Sequence, residues 1–242
     1  MQDKLTEIDR DKIIQLAPVT LFDDSEVEYS EALDYLVTNR KLKEDVIKLF
    51  EIGYVPKRIG DNGRFRELAG RILFPIRNQY KELVAFTTRD WRPGVKNPHW
   101  HESFPKGQYL YGLHLTKEYI IRSKKVILVE GQFDTMQLFQ CGLKCVVGLL
   151  GSALQLYQIA LLSRYCKEIY ALFDADDAGK AALKRAEELV KKFKLNDFDI
   201  HIIPVYFPKG YDPDEYVKEY GAKQTLDLLK ESKTNYYEEH LC

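Results

Sequence analysis

The second half of the 242-residue chain alternates short apolar runs with helical runs, and this pattern constrains the fold more than any other feature. The apolar runs are nearly continuous and rich in β-branched residues, which indicates strands that are buried on both faces. Strands that alternate with helices form a parallel sheet, because each helix carries the chain back to the start of the next strand. The predicted strands cover residues 126–129, 145–150, 169–173 and 200–205, and the predicted helices cover residues 135–140, 154–165 and 178–193.

The first half of the chain has a different pattern. Apolar residues at helical spacing predict two helices before Gly53, the first of them capped by Ser30. Two β-rich runs at residues 72–76 and 83–87, separated by a short polar spacer, predict a hairpin. Residues 90–108 contain Gly, Pro and Asn without any periodicity and are predicted to form a long loop.

The net charge of -1 hides a strong asymmetry along the chain. Residues 57–125 hold 15 Lys and Arg against 6 Asp and Glu, whereas the segments before and after them are acidic. A basic segment of this kind favours a polyanionic partner, although a solvated surface can show the same asymmetry.

Together, the patterns of the two halves predict an α/β fold class. A basic, mixed α+β subdomain is expected over residues 1–122, a Rossmann-like subdomain over 123–220 and a C-terminal helical tail over 221–242.

Several classes of protein are excluded by composition. No stretch approaches the roughly 18 consecutive apolar residues that a membrane span needs. The first twelve residues are charged and lack the apolar core of a signal peptide. Four cysteines are too few for a disulfide scaffold of this length, so a reducing compartment is expected. We therefore expect a cytoplasmic protein without a membrane partner, or one in the host cytoplasm if the gene is viral or plasmid-borne.

Carboxylates follow three of the four predicted strands. Because the carboxyl ends of parallel strands meet at one edge, these groups should lie close together. Two unit charges 4 Å apart repel by about 4 kcal/mol at an effective dielectric of 20, so a cation is expected among them. Oxygen ligands on loops suit Mg²⁺ or Mn²⁺, and the absence of a Cys/His set disfavours zinc. The acids concerned are Glu130, Asp134, Asp174, Asp176, Asp212 and Asp214.

A purely structural interpretation of these acids stays open at this point. An Asp at a strand end often caps the following helix, and Asp-Pro frequently starts a turn. Each acid alone can be explained in this way. The recurrence of acids at three strand ends favours the metal site.

Two of the acidic segments carry a family resemblance. The segment 130–134, Glu-Gly-Gln-Phe-Asp, resembles the first motif of the TOPRIM domain. The segment 174–179, Asp-Ala-Asp-Asp-Ala-Gly, resembles the second motif. TOPRIM domains occur in bacterial-type primases, topoisomerases and some nucleases, so the resemblance implies a metal-dependent enzyme that acts on nucleic acid.

The flanking sequence resembles the primase branch of these enzymes. The similarity to the bacterial (DnaG-type) primase core runs from about residue 30 to about residue 225 and is carried by the segments 52–56, 71–77, 106–113 and 211–214. The zinc ribbon and the helicase-binding domain of those primases have no counterpart in this sequence. The chain is therefore either a fragment or a compact relative that borrows those functions. The resemblance implies a polymerase core, but it does not by itself imply autonomous priming.

The resemblance also implies roles for single residues. Glu130, Asp174 and Asp176 would be the catalytic acids and metal ligands, and Asp212 and Asp214 would complete the metal site. Asp134, Gly131 and Gly179 would support it. Contacts to the template or to nucleoside triphosphates would come from Arg40, Arg89, Lys96 and Lys106, and Trp91 and Trp100 could stack on bases.

The implied function is template-directed synthesis of short RNA primers from nucleoside triphosphates on single-stranded DNA, with a replicative helicase as a candidate partner. A TOPRIM-type nuclease and a non-catalytic nucleic-acid-binding module are the alternatives. The primase-like hairpin and the segment 106–113 argue against the nuclease. The intact acids argue against the non-catalytic module.

Overall fold

The structure is a computed structural model, and it describes residues 13–15, 17–18, 21–22, 27–56, 67–151, 153–173, 177–194, 200–208 and 210–241. The chain divides into two compact units. The first unit contains Met1–Ile76 and Leu83–Phe104, and the second contains Arg77–Glu82 and Pro105–Cys242. The predicted boundaries at residues 122 and 220 stay a prediction.

In its described residues, the first unit combines helices with a four-stranded sheet. Helix α1 (Val27–Asp34) continues into a π-helical segment, Tyr35–Asn39, and is followed by helix α2 (Glu44–Leu49). The strands β1 (Gly53–Tyr54), β2 (Ile72–Arg77), β3 (Leu83–Arg89) and β4 (His99–His101) are neighbours in that order. The short turn at residues 78–82 connects β2 to β3, so the predicted hairpin is confirmed.

Two predictions for the first unit are wrong. Ser30 lies inside α1 and cannot cap it, because a cap residue stands outside the helical turns. The predicted loop at 90–108 contains β4, which pairs antiparallel with β3, and a 3₁₀ turn at Lys106–Gln108. This short strand, His99-Trp100-His101, forms because β3 offers hydrogen-bonding partners, which local periodicity cannot reveal.

The second unit is built on a parallel sheet. Its strands are β5 (Lys125–Val129), β6 (Val146–Gly148), β7 (Glu168–Leu172) and β8 (His201–Val205), in the spatial order β6-β5-β7-β8. Every residue from 126 to 129 is at most 2% exposed, as expected for a strand covered on both faces. The helices of this unit are α3 (Leu113–Ser123), α4 (Gln132–Gln140), α5 (Leu156–Leu162), α6 (Asp177–Lys194) and α7 (Pro213–Leu241).

Helix α7 contains a break. Gly221 has a φ of 77° and a ψ of 174°, which lies outside the helical region and suits a residue without a Cβ atom. Beyond the break, the Lys233 ammonium contacts Glu168 Oε1 at 2.6 Å, and the Tyr237 hydroxyl donates to the same oxygen. The second half of α7 is therefore tied to the start of β7. No helix in the described part of the chain is both long enough and apolar enough to span a membrane.

Candidate functional site

The carboxyl ends of β5, β7 and β8 lie at one edge of the parallel sheet. Val129 pairs with Leu172, and Leu172 pairs with Val205, so the three strands end side by side. In the strand order β6-β5-β7-β8, the connection after β5 leads to β6 on one side of the sheet centre. The connection after β7 leads to β8 on the opposite side. Ligands of open parallel sheets bind at such a switch point, which here lies between β5 and β7.

Glu130 follows β5 directly at this edge and is partly exposed. The turn after it is closed by Asp134, whose Oδ2 accepts a hydrogen bond from the Gly131 N–H at 2.9 Å. The Thr135 hydroxyl donates to the Gly131 carbonyl at 2.8 Å. Gly148 in the neighbouring strand must lack a side chain, because a Cβ atom there would come within 2.5 Å of the Thr135 hydroxyl. These contacts hold the backbone at Glu130 in one position.

The second acidic segment follows the neighbouring strand. The chain leaves β7 at Leu172, next to Val129, and Phe173 is 5% exposed. Asp174 and Asp176 lie outside the described residues, and Gly179 lies in the first turns of α6. The described structure thus brings Glu130 to the strand end from which the second motif starts.

The acids after β8 have defined structural partners. Asp212 Oδ1 accepts a hydrogen bond from the Glu215 N–H at 2.6 Å and thereby caps α7. Asp214 is 6% exposed, and its Oδ2 contacts the Lys218 ammonium at 2.5 Å. Helix capping, the structural interpretation given above for these acids, is therefore observed at Asp212. The carboxylate of Asp214 is already neutralised by Lys218.

The described residues alone do not assemble a metal site. Across the part of the chain that the structure describes, no group of three or more His, Cys, Asp or Glu side chains is arranged to hold a metal ion. His99 and His101 stack on β4 with ring centroids 6.2 Å apart and belong to no such group. Burial raises the pKa of the Cys145 thiol, which makes it a poor metal ligand at neutral pH.

Two of the predicted basic residues, Arg40 and Arg89, act electrostatically on His99 in the first unit. Arg89 Nη1 lies 3.1 Å from His99 Nε2, and Arg40 donates from Nε to the Tyr35 hydroxyl at 2.9 Å. The pKa of His99 is lowered, first by burial and then by the positive charges of Arg89, His101, Arg71 and Arg40. Arg40 and Arg89 therefore act on the same electrostatic neighbourhood, which is strongly positive. Lys96 lies in the exposed loop before β4.

Lys106 belongs to the second unit, where it lines a cavity of about 370 Å³. Burial lowers the pKa of its ammonium. The turn that carries it is held by Gln158, whose amide donates to the Tyr109 carbonyl at 2.7 Å. Gly107 is required in this turn, because a Cβ atom would lie 2.7 Å from the Gln155 side chain. Lys106 thus has a more enclosed environment than Lys96.

The structure also reveals a buried charged group that sequence reasoning missed. Asp90 is 6% exposed and accepts from Arg92 Nε at 2.8 Å and from Arg92 Nη2 at 2.5 Å. Arg71 is 8% exposed and lies 3.6 Å from Asp90. Arg71 also donates to the Thr88 hydroxyl and to the Pro98 carbonyl, so it ties β3 to the segment before β4. One signal was present, since Asp90 is the only acid between Glu82 and Glu102.

The two tryptophans differ in their environments. Trp100 stacks on Phe86 with centroids 5.6 Å apart and an interplanar angle of 27°, and it packs against the core of the first unit. Trp91 is half-buried beside Tyr35, with ring centroids 6.2 Å apart. Trp91 is therefore the better placed of the two to meet a ligand.

Two family descriptions match consecutive parts of the chain. The family described as the N-terminal domain of the DNA primase catalytic core matches residues 59–117, and the Toprim-like family matches residues 127–217. The DNA primase of Aquifex aeolicus (strain VF5) is 34% identical over 259 residues, which cover 94% of this chain and 51% of that protein. The chain spans a third to a half of the length of the curated relatives it matches.

Solved structures agree with these matches. The zinc-binding and RNA polymerase domains of the Aquifex aeolicus primase superpose with a TM-score of 0.77 at 28% identity, covering 100% of this chain and 67% of that one. The DnaG primase catalytic domain bound to single-stranded DNA superposes with a TM-score of 0.79 at 23% identity, covering 94% of this chain and 80% of that one. The second similarity supports the fold. Taken together, the fold and these matches show that the chain belongs to the bacterial DnaG-type primase family and contains a TOPRIM domain.

Proposed function

We propose that this chain is the catalytic core of a DNA primase, which joins nucleoside triphosphates into short RNA primers on a single-stranded DNA template. The observation that carries the proposal is Glu130 at the switch point of the parallel sheet, next to the strand from which the second TOPRIM motif starts. Such a core would work in the cytoplasm, bacterial or host, and a replicative helicase would be its partner. The likeness to replication proteins supports both expectations.

The TOPRIM primase family implies a divalent metal ion. We assign Mg²⁺, with Mn²⁺ as a substitute, to Glu130, Asp174 and Asp176, because carboxylate oxygens are the preferred ligands of both ions. When bound, the metal stabilises the attacking and leaving oxygens of an in-line displacement on the triphosphate. Asp212 uses Oδ1 to cap α7 and Asp214 uses Oδ2 to pair with Lys218, so each carboxylate keeps its second oxygen for a ligand role.

The chain's own residues supply the rest of the mechanism. Glu130 offers a carboxylate that can take the proton of the attacking 3′-hydroxyl. Asp134 acts through the Gly131 N–H to hold that carboxylate in place, so it is a positioning residue. Arg40, Arg89 and Lys96 would bind the template backbone, and Lys106 would bind the triphosphate. The positive neighbourhood of His99 supports the first assignment, and the enclosed position of Lys106 supports the second.

Metal binding should raise the thermal stability of the protein. A ligand that binds only the folded state stabilises it by about 2.7 kcal/mol at 100 times its Kd, so Mg²⁺ or Mn²⁺ should increase Tm by several degrees. Asp174→Asn combined with Asp176→Asn should remove this increase, as measured by differential scanning calorimetry. Asp227→Asn changes an exposed carboxylate and serves as the control. An equal Tm increase in the double variant would refute the shared metal site.

Lys96 and Lys106 should affect different steps. For single strands, the logarithm of the binding constant falls with the logarithm of salt by about 0.7 per neutralised phosphate. Lys96→Gln should flatten this slope by about that amount in a fluorescence-anisotropy titration. Lys106→Gln should leave the slope unchanged and raise the KM for nucleoside triphosphates several-fold. Lys48→Gln, a change at an exposed lysine, is the control. A flattened slope for Lys106→Gln would move that residue to the template.

One assay distinguishes the proposed function from its alternatives. The protein is incubated with a single-stranded oligonucleotide, labelled nucleoside triphosphates and Mg²⁺ or Mn²⁺, and the products are sized on a gel. Primase activity yields short labelled RNA that disappears when the template is omitted. Cleavage of the template without synthesis would indicate the nuclease. Binding without either reaction would indicate the non-catalytic module.

A further inference from the structure

A cavity of about 1080 Å³ opens in the first unit, where helix α1 and the π-helical segment face the loop after β3. Its walls combine two aromatic rings with polar and charged groups. The residues that define its chemistry are Glu31, Asp34, Tyr35, Asn39, Trp91 and Arg92. Apart from the base-stacking role that the resemblance suggests for Trp91, the primase assignments above use none of these side chains.

The aromatic wall of the cavity is held in place by hydrogen bonds. Trp91 donates from Nε1 to the Gly70 carbonyl at 3.2 Å, and Gly70 has a φ of +78°, which only glycine adopts without strain. The Tyr35 hydroxyl accepts from Arg40 Nε at 2.9 Å. Both rings are therefore positioned before a ligand arrives, which lowers the entropic cost of stacking on them.

The charged walls of the cavity are also ordered. The Arg92 guanidinium is fixed by its two hydrogen bonds to the buried carboxylate of Asp90. Glu31 and Asp34 line the same cavity and would repel a phosphate group. A flat, uncharged ring that carries hydrogen-bond donors on its edge fits this lining. It can stack on the aromatic rings and donate hydrogen bonds to the carboxylates.

We propose that this cavity binds one unpaired base of single-stranded DNA, stacked on Trp91 and Tyr35. The exocyclic amino group of the base donates a hydrogen bond to the carboxylate of Glu31 or Asp34. The cavity lies beside the proposed template-binding residues, since Arg40 contacts Tyr35 and Arg89 precedes Trp91 by two residues. The proposal rests on the proposed template binding and adds a base-specific site to it. Adenine, cytosine and guanine carry the required amino group, and thymine does not.

The first experiment compares an intact oligonucleotide with an abasic one of the same length. Stacking contributes about 5- to 150-fold in affinity per base, so Trp91→Ala should weaken binding of the intact strand by at least 5-fold. The slope of affinity against salt should stay unchanged, because no phosphate contact is lost. The abasic strand should bind the variant and the wild type equally well. Trp91→Phe should restore most of the affinity, and Tyr119→Ala, at a 43% exposed tyrosine on α3, is the control.

The second experiment uses the intrinsic fluorescence of the protein. The chain has 2 tryptophans, so Trp100→Phe leaves Trp91 as the only reporter. Titration with oligo(dC) should quench this fluorescence at lower concentration than titration with oligo(dT), and Glu31→Gln with Asp34→Asn should reduce the difference. Calorimetric melting of each variant confirms that it is folded.

The outcomes separate this inference from the proposed function. Salt-dependent binding by the wild type that Trp91→Ala leaves unchanged would refute the base site and leave template binding intact. Absence of any binding of single-stranded DNA by the wild type would refute both. Equal weakening of the intact and abasic strands by Trp91→Ala would also refute the base site, because the tryptophan would then act on the backbone alone.

Discussion

Glu130→Gln is expected to reduce primer synthesis by at least two orders of magnitude while the affinity for single-stranded DNA stays near that of the wild type. The substitution keeps the size of the side chain and removes its charge, so the turn closed by Asp134 and Gly131 should persist. General-base catalysis typically contributes 10²- to 10⁴-fold, and a lost metal ligand adds to that loss. The measurement is kcat for labelled primer synthesis together with fluorescence anisotropy for DNA binding.

Glu118→Gln provides the matched control, because Glu118 is an exposed glutamate on α3 outside the site. A fall in kcat with an unchanged KM identifies Glu130 with the chemical step. An interaction made only in the transition state lowers kcat and kcat/KM by the same factor. Wild-type synthesis by Glu130→Gln would show that the catalytic acid lies elsewhere on this edge. Loss of DNA binding in the variant would instead assign Glu130 to template positioning.

The second large effect concerns stability, and it falls on Asp90. Its carboxylate accepts both hydrogen bonds from Arg92 and neutralises the buried Arg71. Removal of one partner from a buried ion pair typically costs 3–5 kcal/mol, because the other charge stays buried. Since Arg92 is half-exposed, we expect the lower end, about 3 kcal/mol, for Asp90→Asn. Urea denaturation followed by circular dichroism measures the loss.

This loss should depend on pH. The pKa of Asp90 is lowered, chiefly by its hydrogen bonds to Arg92, so its contribution is complete above the unfolded-state pKa of about 3.9. As pH falls through the lower folded-state pKa, the Asp90 carboxylate becomes protonated. The free energy of unfolding of the wild type should then approach that of Asp90→Asn. Asp227→Asn removes an exposed ion pair and should leave stability close to that of the wild type at any pH. A difference at Asp90 that is independent of pH would exclude the ionic explanation.

The strands that the sequence predicted well are those whose burial is visible in the local pattern. The predicted strand at 126–129 is observed as Lys125–Val129, and the one at 169–173 as Glu168–Leu172. The sequence pattern did not predict strand β4, because it has only three residues, two of them exposed histidines, and it exists through its pairing with β3. A strand stabilised by a neighbour leaves no periodic signal of its own.

The basic residues show the same limit. The excess of Lys and Arg over residues 57–125 indicated a polyanionic partner, but it treated every basic residue alike. The structure separates them: Arg71 is buried beside Asp90, Lys96 is exposed, and Lys106 is half-buried at a cavity. Burial and pairing depend on residues that are distant in sequence, so net charge could not make this distinction.

The sequence by itself determined the order of strands and helices in the second half, the acids that follow three of the strands, and the motifs that resemble TOPRIM. Apolar periodicity and strand-end carboxylates are local properties, and local properties can be read from a single chain. Only the tertiary structure decided the strand order β6-β5-β7-β8, which puts the switch point beside Glu130. Only the tertiary structure showed that Asp212 caps α7 and that Lys218 neutralises Asp214. The packing of the whole domain determines which strands are neighbours and which charged residues pair, because each contact depends on where the rest of the chain lies.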